Sequence, residues 1–392
     1  MFKNLIKISL RNIKKEKGYS FINILGLIIG ITSCLFLVLY IIDELSYDNF
    51  HVEGEHVYRV VTNITEVDNE FTWAVAQTPF APTVKKDYPE VEKYARLSGT
   101  GRMMFEKGSE NMYEEDFAYA DSATFELFTF KFIQGDPKTC LYEPNSIVLT
   151  KDIAIKYFND TDVVGETLIG ENLSLNVTGV IENIPKNTHI NSIDAFISWS
   201  TLQDFRREGN WGNFGVRTYI YCPNLTDPVA FQEKLHEVYD NYSAEIFADL
   251  GIDFNYILQN IQDIHLYSKI GDEAESGGDI AYVYIFSAVA FFILLIASIN
   301  YMNLSTARSM KRAREVGIRK VMGSHRRQII IQFLTESMIY TLISLLISVI
   351  LVLALIPFYN DLMDKAISLE ILLNPVILIS LLGIVVFVAI LS

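Results

Sequence analysis

Residues Ser305 to Ser337 read STARSMKRAREVGIRKVMGSHRRQIIIQFLTES, a densely basic stretch set between two long apolar runs. Its first 23 positions, Ser305 to Arg327, carry eight Lys/Arg against a single acidic residue, Glu315. The flanking runs decide how it is read. Phe21 to Ile42, Ile280 to Leu304 and Ile329 to Pro357 each exceed the roughly 20 residues with which a helix crosses a hydrocarbon core about 30 Å thick. A fourth run, Pro375 to Ser392, has 18 residues and no polar flank, and reads as a span cut short. Half of the 392 residues are apolar and a fifth are charged, which with a positive mean hydropathy sets the chain in a membrane class.

Basic residues orient the spans. Lys3, Lys7, Arg11, Lys14, Lys15 and Lys17 precede the first, and Arg308, Lys311, Arg312, Arg314, Arg319, Lys320, Arg326 and Arg327 follow the second, so the positive-inside rule makes both segments cytoplasmic. Residues 43 to 279 then lie outside. They hold 17 Lys/Arg against 41 Asp/Glu, a net of −24 where the whole chain is −15, which disfavours nucleic acid as a partner. Before the first span, MFKNLIKISLRNIKKEKG sets Phe2, Leu5, Ile6, Leu10 and Ile13 on one helical face and Lys3, Lys7, Arg11, Lys14 and Lys15 on the other, the pattern of a helix lying in the interface plane of the bilayer. The first apolar run is too long for a signal h-region and is followed by DELSYDNF, so it reads as an uncleaved anchor.

The expected architecture is an α-helical integral membrane protein with a large α+β extracytoplasmic domain between the first and second spans. In order, the domains are a cytoplasmic interfacial helix over 1–17, transmembrane helix 1 over 18–42, the outer domain over 43–279 and transmembrane helix 2 over 280–304. A cytoplasmic elbow over 305–328, transmembrane helix 3 over 329–357, a short external loop over 358–374 and transmembrane helix 4 over 375–392 follow. Within the outer domain, NSIVLTKDIAIKYF runs from a strand at Ile147 to Leu149 through an N-capping Thr150 into an amphipathic helix. LSLNVTGVIENIP, Leu173 to Pro185, alternates like a strand, and FAPTVKKDYPEVEKYARL has helical spacing interrupted by Pro89. A helix is expected from Pro228 to Leu250, with Gly251 past its end. The alternation suggests βαβ-type units in one or two subdomains.

Motifs for catalysis are missing. No Gly is followed by Lys, so the chain holds no phosphate loop of the G-x-x-x-x-G-K-[ST] kind. The six histidines show no H-E-x-x-H spacing, and His51 and His56 with Glu53 and Glu55 read as solvated surface rather than a metal site. GNWGNFG, Gly209 to Gly215, reads as a loop tip, and no G-x-S-x-G elbow is present. No catalytic, cofactor-binding or metal residue is assigned. Cys140 and Cys222 could form a disulfide outside the cell or stay as two buried thiols. In the first span, Gly26, Gly30 and Cys34 recur every four positions and mark a helix-packing face. Glu336 reads as lying in the interfacial first turns of the third helix. In the basic stretch itself, Met310, Ala313, Gly317 and Val321 share a helical face opposite Arg308, Arg312, Glu315 and Arg319, and Gly323 with Ser324 supplies a stop and a new N-cap. Two helices therefore meet at a corner beneath the membrane, and the small residues suggest that something packs closely on it.

REVGIRKVMGSHRRQIIIQFLTES, Arg314 to Ser337, resembles the E-x-G-I-R-K-x-x-G-[AS]…Q-F-L-x-E-[AS] signature of FtsX-like permeases, the group of the MacB-type exporters and the lipoprotein-releasing LolC/LolE subunits. NSIVLTKDIAIKYFNDTDVVGETL and NVTGVIENIPKNTHI are similar to the MacB-type periplasmic core domain, and LIKISLRNIKKEKGYSFINILGLIIG is in style most like permeases of Bacteroidetes-type bacteria. The resemblance implies a non-catalytic permease subunit of an ABC transporter in the inner membrane, multi-pass, with its N-terminus cytoplasmic and its large domain periplasmic. It implies a separate ABC ATPase subunit carrying the ATP and Mg, with no cofactor on this chain, seated on an elbow whose contact residues are Arg314, Glu315, Gly317, Ile318, Arg319, Lys320 and Gly323. A second permease unit is also implied, as a homodimer or tandem half, together with a periplasmic adaptor and an outer-membrane channel. The work done would be export or efflux of a peptide, antibiotic or lipoprotein-like substrate, although no fused ATPase is present as it is in MacB exporters. The alternative is a transmembrane activator or sensor that controls a periplasmic partner without transport.

Overall fold

The computed structural model describes residues 11, 15–66, 69–171, 173–203, 206, 208–270, 277–306, 326–368, 371 and 375–391. Most of the expected interfacial helix and the body of the elbow, 307–325, lie outside the described residues. The chain divides into two compact units, residues 1–45 with 280–392 and residues 46–279.

The first unit is helical. Lys17–Glu44, Ile280–Leu304 and Phe333–Met363 are long and apolar enough to cross a membrane, and Pro375–Leu391 is a shorter apolar helix. The third helix, Arg326–Met363, runs through Pro357, where the sequence suggested a stop. A proline costs its helix one backbone bond, and inside an apolar bundle neighbouring groups tolerate it. The helix ends instead at Asp364, which takes φ 49°, and Asn360 then ties down the returning chain: its Nδ2 donates to Ile367 O at 3.0 Å and its Oδ1 accepts from Ile367 N at 3.1 Å. The loop after the third helix therefore begins about two turns later than 358.

The second unit is a sheet covered on both faces. Its strands are β1 Val57–Thr65, β2 Glu70–Trp73, β3 Ala76–Gln77, β4 Lys93–Gly99, β5 Met103–Lys107, β6 Glu110–Glu114 and β7 Phe117–Ala120. β8 Phe132–Gly135, β9 Ser146–Thr150, β10 Thr167–Ile169, β11 Ser174–Ile181, β12 Ala195–Ser198, β13 Phe214–Tyr221 and β14 Asp253–Asn260 complete them. One path orders them β10-β11-β9-β12-β7-β4-β13-β1-β14, with β2 on β1, β3 on β13 and β8 on β11, while β5 and β6 form a separate ribbon. β9 and β11 pair in parallel across the helix Lys151–Phe158, a βαβ unit, and β12 is parallel to β7. Central β9 is buried at every position, as a strand covered on two faces must be. Its alternate residues feed different cores: Val148 packs with Leu97, Phe128 and Phe196, whereas Ile147 and Leu149 pack with Phe117, Val177 and Ile197. A third cluster gathers Phe80, Phe231, Phe254 and Tyr256 at the β1/β14 end.

Several local readings change. Thr150 has N-cap backbone angles but its hydroxyl bonds nothing there; the exposed helix N–H of Asp152 is taken by Asn183 Oδ1 at 3.0 Å. The long helix is Pro228–Tyr242, capped by Asp227 Oδ1 on Val229 N and Ala230 N, and breaks at Ser243 into Ala244–Phe247 and a last 3₁₀ turn, Ala248–Leu250. The break lets Phe247 pack edge-on against Phe254, 5.4 Å between ring centres. GNWGNFG is only half a loop, because Phe214 and Gly215 already belong to β13 and Trp211 stacks on Tyr242 at 4.8 Å. Gly209, at φ 65°, lies so close to Thr78 that an added Cβ would stand 2.4 Å from the threonine Cβ. Cys140 and Cys222 are free and buried in separate clusters, where burial pushes each thiol up to about 12.

His51 is not solvated surface. It is buried with Asp48, whose carboxylate also takes the Thr188 hydroxyl and lies 2.9 Å from His189 Nδ1; His189 Nε2 meets Tyr219 OH at 3.0 Å. The Thr129 N–H donates to His51 Nδ1 at 3.0 Å, which fixes the neutral ring with its proton on Nε2, 3.5 Å from Asp48. Burial holds the His51 imidazole below its ordinary value, against the raising effect of Asp48. Burial alone would raise Asp48, but the charge and bond of His189, with bonds from His51 and Thr188, hold it well below the usual carboxylate range.

Candidate coupling site in the membrane-spanning unit

The first span sits between the second and third, and opposite chemistries fix its two sides. Toward the second span it presents glycine. A Cβ added at Gly26 would meet Asn300 Nδ2 at 3.3 Å, and one at Gly30 would stand 2.6 Å from the Ala297 Cβ. The backbone at Gly30 thus approaches the second span more closely than any side chain would permit. Cys34, one turn further, is buried in the cluster of Leu27, Ile31, Leu35, Ala290, Leu294 and Ala297.

Toward the third span the first is held by hydroxyls. Ser20 and Tyr340 share a bond at 2.8 Å, Ser344 donates to Ile24 O at 3.4 Å and Ser348 to Ile28 O at 3.2 Å. Tyr340, Ser344 and Ser348 recur every four residues, so they form one stripe of the third helix, and all three are buried. The stripe was visible in the sequence as a spacing within an otherwise apolar run, yet length and hydropathy passed over it. The second and third spans also meet directly, Tyr301 OH donating to Ser337 Oγ at 3.3 Å. Glu336, read from the sequence as interfacial, is only 6% exposed, so protein rather than water surrounds it.

A charged clamp closes the end of the first span that leads into the α/β unit. Lys365 Nζ lies 2.8 Å from Asp43 Oδ2 and 2.7 Å from Glu44 Oε1, with the Tyr40 ring centre 5.4 Å away. Side-chain exposure is 11% for Lys365, 13% for Asp43 and 5% for Glu44, so the three charges are largely desolvated and each depends on the others. The clamp joins the loop after the third helix to the last residues before position 46, where the α/β unit begins. What it can do is transmit displacement, since the first and third spans, close-packed and bonded at both ends, move together. The elbow residues Arg314, Glu315, Gly317, Ile318, Arg319, Lys320 and Gly323 lie outside the described residues. Among the described residues no group of three or more His, Cys, Asp or Glu side chains is placed to hold a metal ion.

Two family models match the chain. The MacB-like periplasmic core domain matches residues 20–238, and the FtsX-like permease C-terminal matches residues 287–392. The uncharacterized ABC transporter permease YknZ of Bacillus subtilis (strain 168) is 23% identical over 206 residues, 52% of this chain and 46% of that protein. A second uncharacterized permease of the same organism, YvrN, is 22% identical over 369 residues, covering 88% and 85%. The macrolide export ATP-binding/permease protein MacB of Marinobacter nauticus is 25% identical over 206 residues, 52% of this chain but 29% of that protein. The match thus spans less than half the length of YknZ and less than a third of MacB. Among solved structures, a domain of a putative permease from Porphyromonas gingivalis aligns with a TM-score of 0.48 at 19% identity, over 54% of this chain and 91% of that one. The periplasmic region of MacB from Actinobacillus actinomycetemcomitans aligns with a TM-score of 0.37 at 12% identity, over 51% and 88%.

Proposed function

The chain belongs to the family of FtsX-like permeases with a MacB-like periplasmic core domain, and on that premise we propose that it is the permease subunit of an ABC transporter driven by a separate ATPase. The ATPase seats on the basic elbow, binds ATP and Mg, and closes; the elbow carries that motion into the third span. One observation supports this reading above the others: the third span is bonded along the first and clamped to its end through Lys365, Asp43 and Glu44. A displacement that enters the third helix therefore has a desolvated path along the first span to its end at Glu44, and no step of that path requires a pore. In this arrangement the chain lies in the inner membrane with its N-terminus inside and the α/β unit in the periplasm. It pairs with a second permease unit and delivers substrate to an adaptor and an outer-membrane channel. The names of the MacB relatives, macrolide export proteins, favour efflux of an antibiotic over other cargo.

Affinity capture of the tagged full-length chain from its native membrane, with identification of what binds, tests the reading. An ABC ATPase whose hydrolysis rises on binding is the expected result. Capture of a histidine kinase or of a periplasmic hydrolase, with no ATPase, would replace the transporter with a sensor or activator.

A further inference from the structure

A cavity of about 600 Å³ opens in the α/β unit, within the roughly 300–1,000 Å³ of small-molecule sites. Its floor is an ion pair. Arg96 on β4 donates from Nε and Nη2 to the two oxygens of Asp121, each at 2.8 Å, and from Nη1 to Thr78 O at 3.1 Å. Its guanidinium lies 4.3 Å from the Trp199 ring centre and 5.3 Å from that of Tyr94. Arg96 is only 6% exposed, and a buried pair of this kind adds little stability over apolar residues of the same volume. What it does here is hold two aromatic rings at fixed places in the cavity wall.

The rim differs in chemistry. Tyr142 is 70% exposed, and Glu208 is exposed with no ionic partner among the described residues. The pair on the floor cancels, so the described lining is left with one unspent carboxylate. The surrounding residues 43–279 carry a net −24, which concentrates cations at such a mouth. We propose that this cavity binds an amphiphilic organic cation of drug size, its apolar body against Tyr94 and Tyr142 and its positive group at Glu208. The cavity lies within the α/β unit, and binding to it does not depend on the ATPase reading.

The test uses the full-length chain in phosphatidylcholine nanodiscs without any ATPase, so its failure is distinguishable from failure of the transporter reading. Ligand-observed saturation-transfer NMR compares 4-phenylbutylammonium with 4-phenylbutanol and 4-phenylbutyrate, empty nanodiscs being subtracted. Saturable binding of the ammonium compound is expected, stronger than that of the alcohol or the carboxylate. Glu208→Gln should weaken it roughly two- to fivefold, and Tyr142→Ala, which removes a ring from the apolar body's seat, roughly two- to tenfold. Both positions are exposed, and an unchanged melting curve checks that the variants fold. Equal binding of the three probes, preference for the carboxylate, no binding above empty nanodiscs, or full affinity in both variants would each overturn the assignment.

Discussion

Replacing Gly30 with alanine tests the packing of the spans with a single methyl group. The new Cβ would stand 2.6 Å from the Ala297 Cβ where ordinary contact begins at 3.4 Å, so one helix must retreat by at least 0.8 Å. The neighbour in the way is another Cβ on a helix, with no flexible end to swing aside. Overpacking of this kind costs about 1–3 kcal/mol, and the retreat also strains the bonds of Ser344 and Ser348 on the first span's other side. The assay is equilibrium unfolding of the intact chain in mixed dodecyl maltoside and SDS micelles. Gly30→Ala should shift the midpoint toward lower SDS, while Ala297→Gly, which leaves a void the size of one methyl, should cost ~1 kcal/mol. The double variant carries the methyl on the opposite helix and should recover about half of the summed loss, a favourable coupling of about 1–2 kcal/mol. An unchanged midpoint for Gly30→Ala, or a double variant as weak as the sum of the singles, would refute the close approach.

Other consequences follow from buried charge. Lys365→Met leaves Asp43 and Glu44 facing each other without their cation and should destabilise the helical unit by roughly 3 kcal/mol, with Asp43→Asn in the same background restoring part of it; a micelle unfolding series reads both. Acid should weaken the α/β unit in two stages. His51 is held neutral below its usual ~6.5, so as pH falls through 6.5 the unfolded chain takes up a proton that the folded chain refuses, and stability drops by at most about 1.4 kcal/mol per pH unit. Asp48, depressed below the usual carboxylate range, withdraws a further contribution as pH falls below ~4. Melting of the intact chain between pH 7.5 and 5 should decline, and His51→Gln should flatten that slope; a flat or rising wild-type profile would contradict the assignment.

What was legible in the sequence tracks the range of the physics involved. The three long apolar helices could be placed because a helix in hydrocarbon satisfies its backbone within itself, so a local run of apolar residues suffices. The βαβ unit around Lys151–Phe158 could be read for the same reason, from β9 and its neighbouring helix. Features built by distant partners could not. Asn183 caps a helix that begins at Lys151, and the buried state of His51 is set by Thr129 and His189, remote in sequence, together with the neighbouring Asp48. Nothing local marks Lys365 for a clamp, because its carboxylates lie some 320 positions earlier. The glycine face of the first span was legible as spacing, whereas the matching hydroxyl stripe of the third was masked by its aliphatic surroundings.

The central claim is that an ATPase acts on this chain through the basic elbow, and stimulated ATP hydrolysis in the assembled complex tests it most directly. With the captured ATPase reconstituted in nanodiscs, Arg319→Glu should abolish the stimulation that the wild-type chain gives, while the variant's unfolding midpoint in micelles stays unchanged. Full stimulation by the reversed charge would contradict the account.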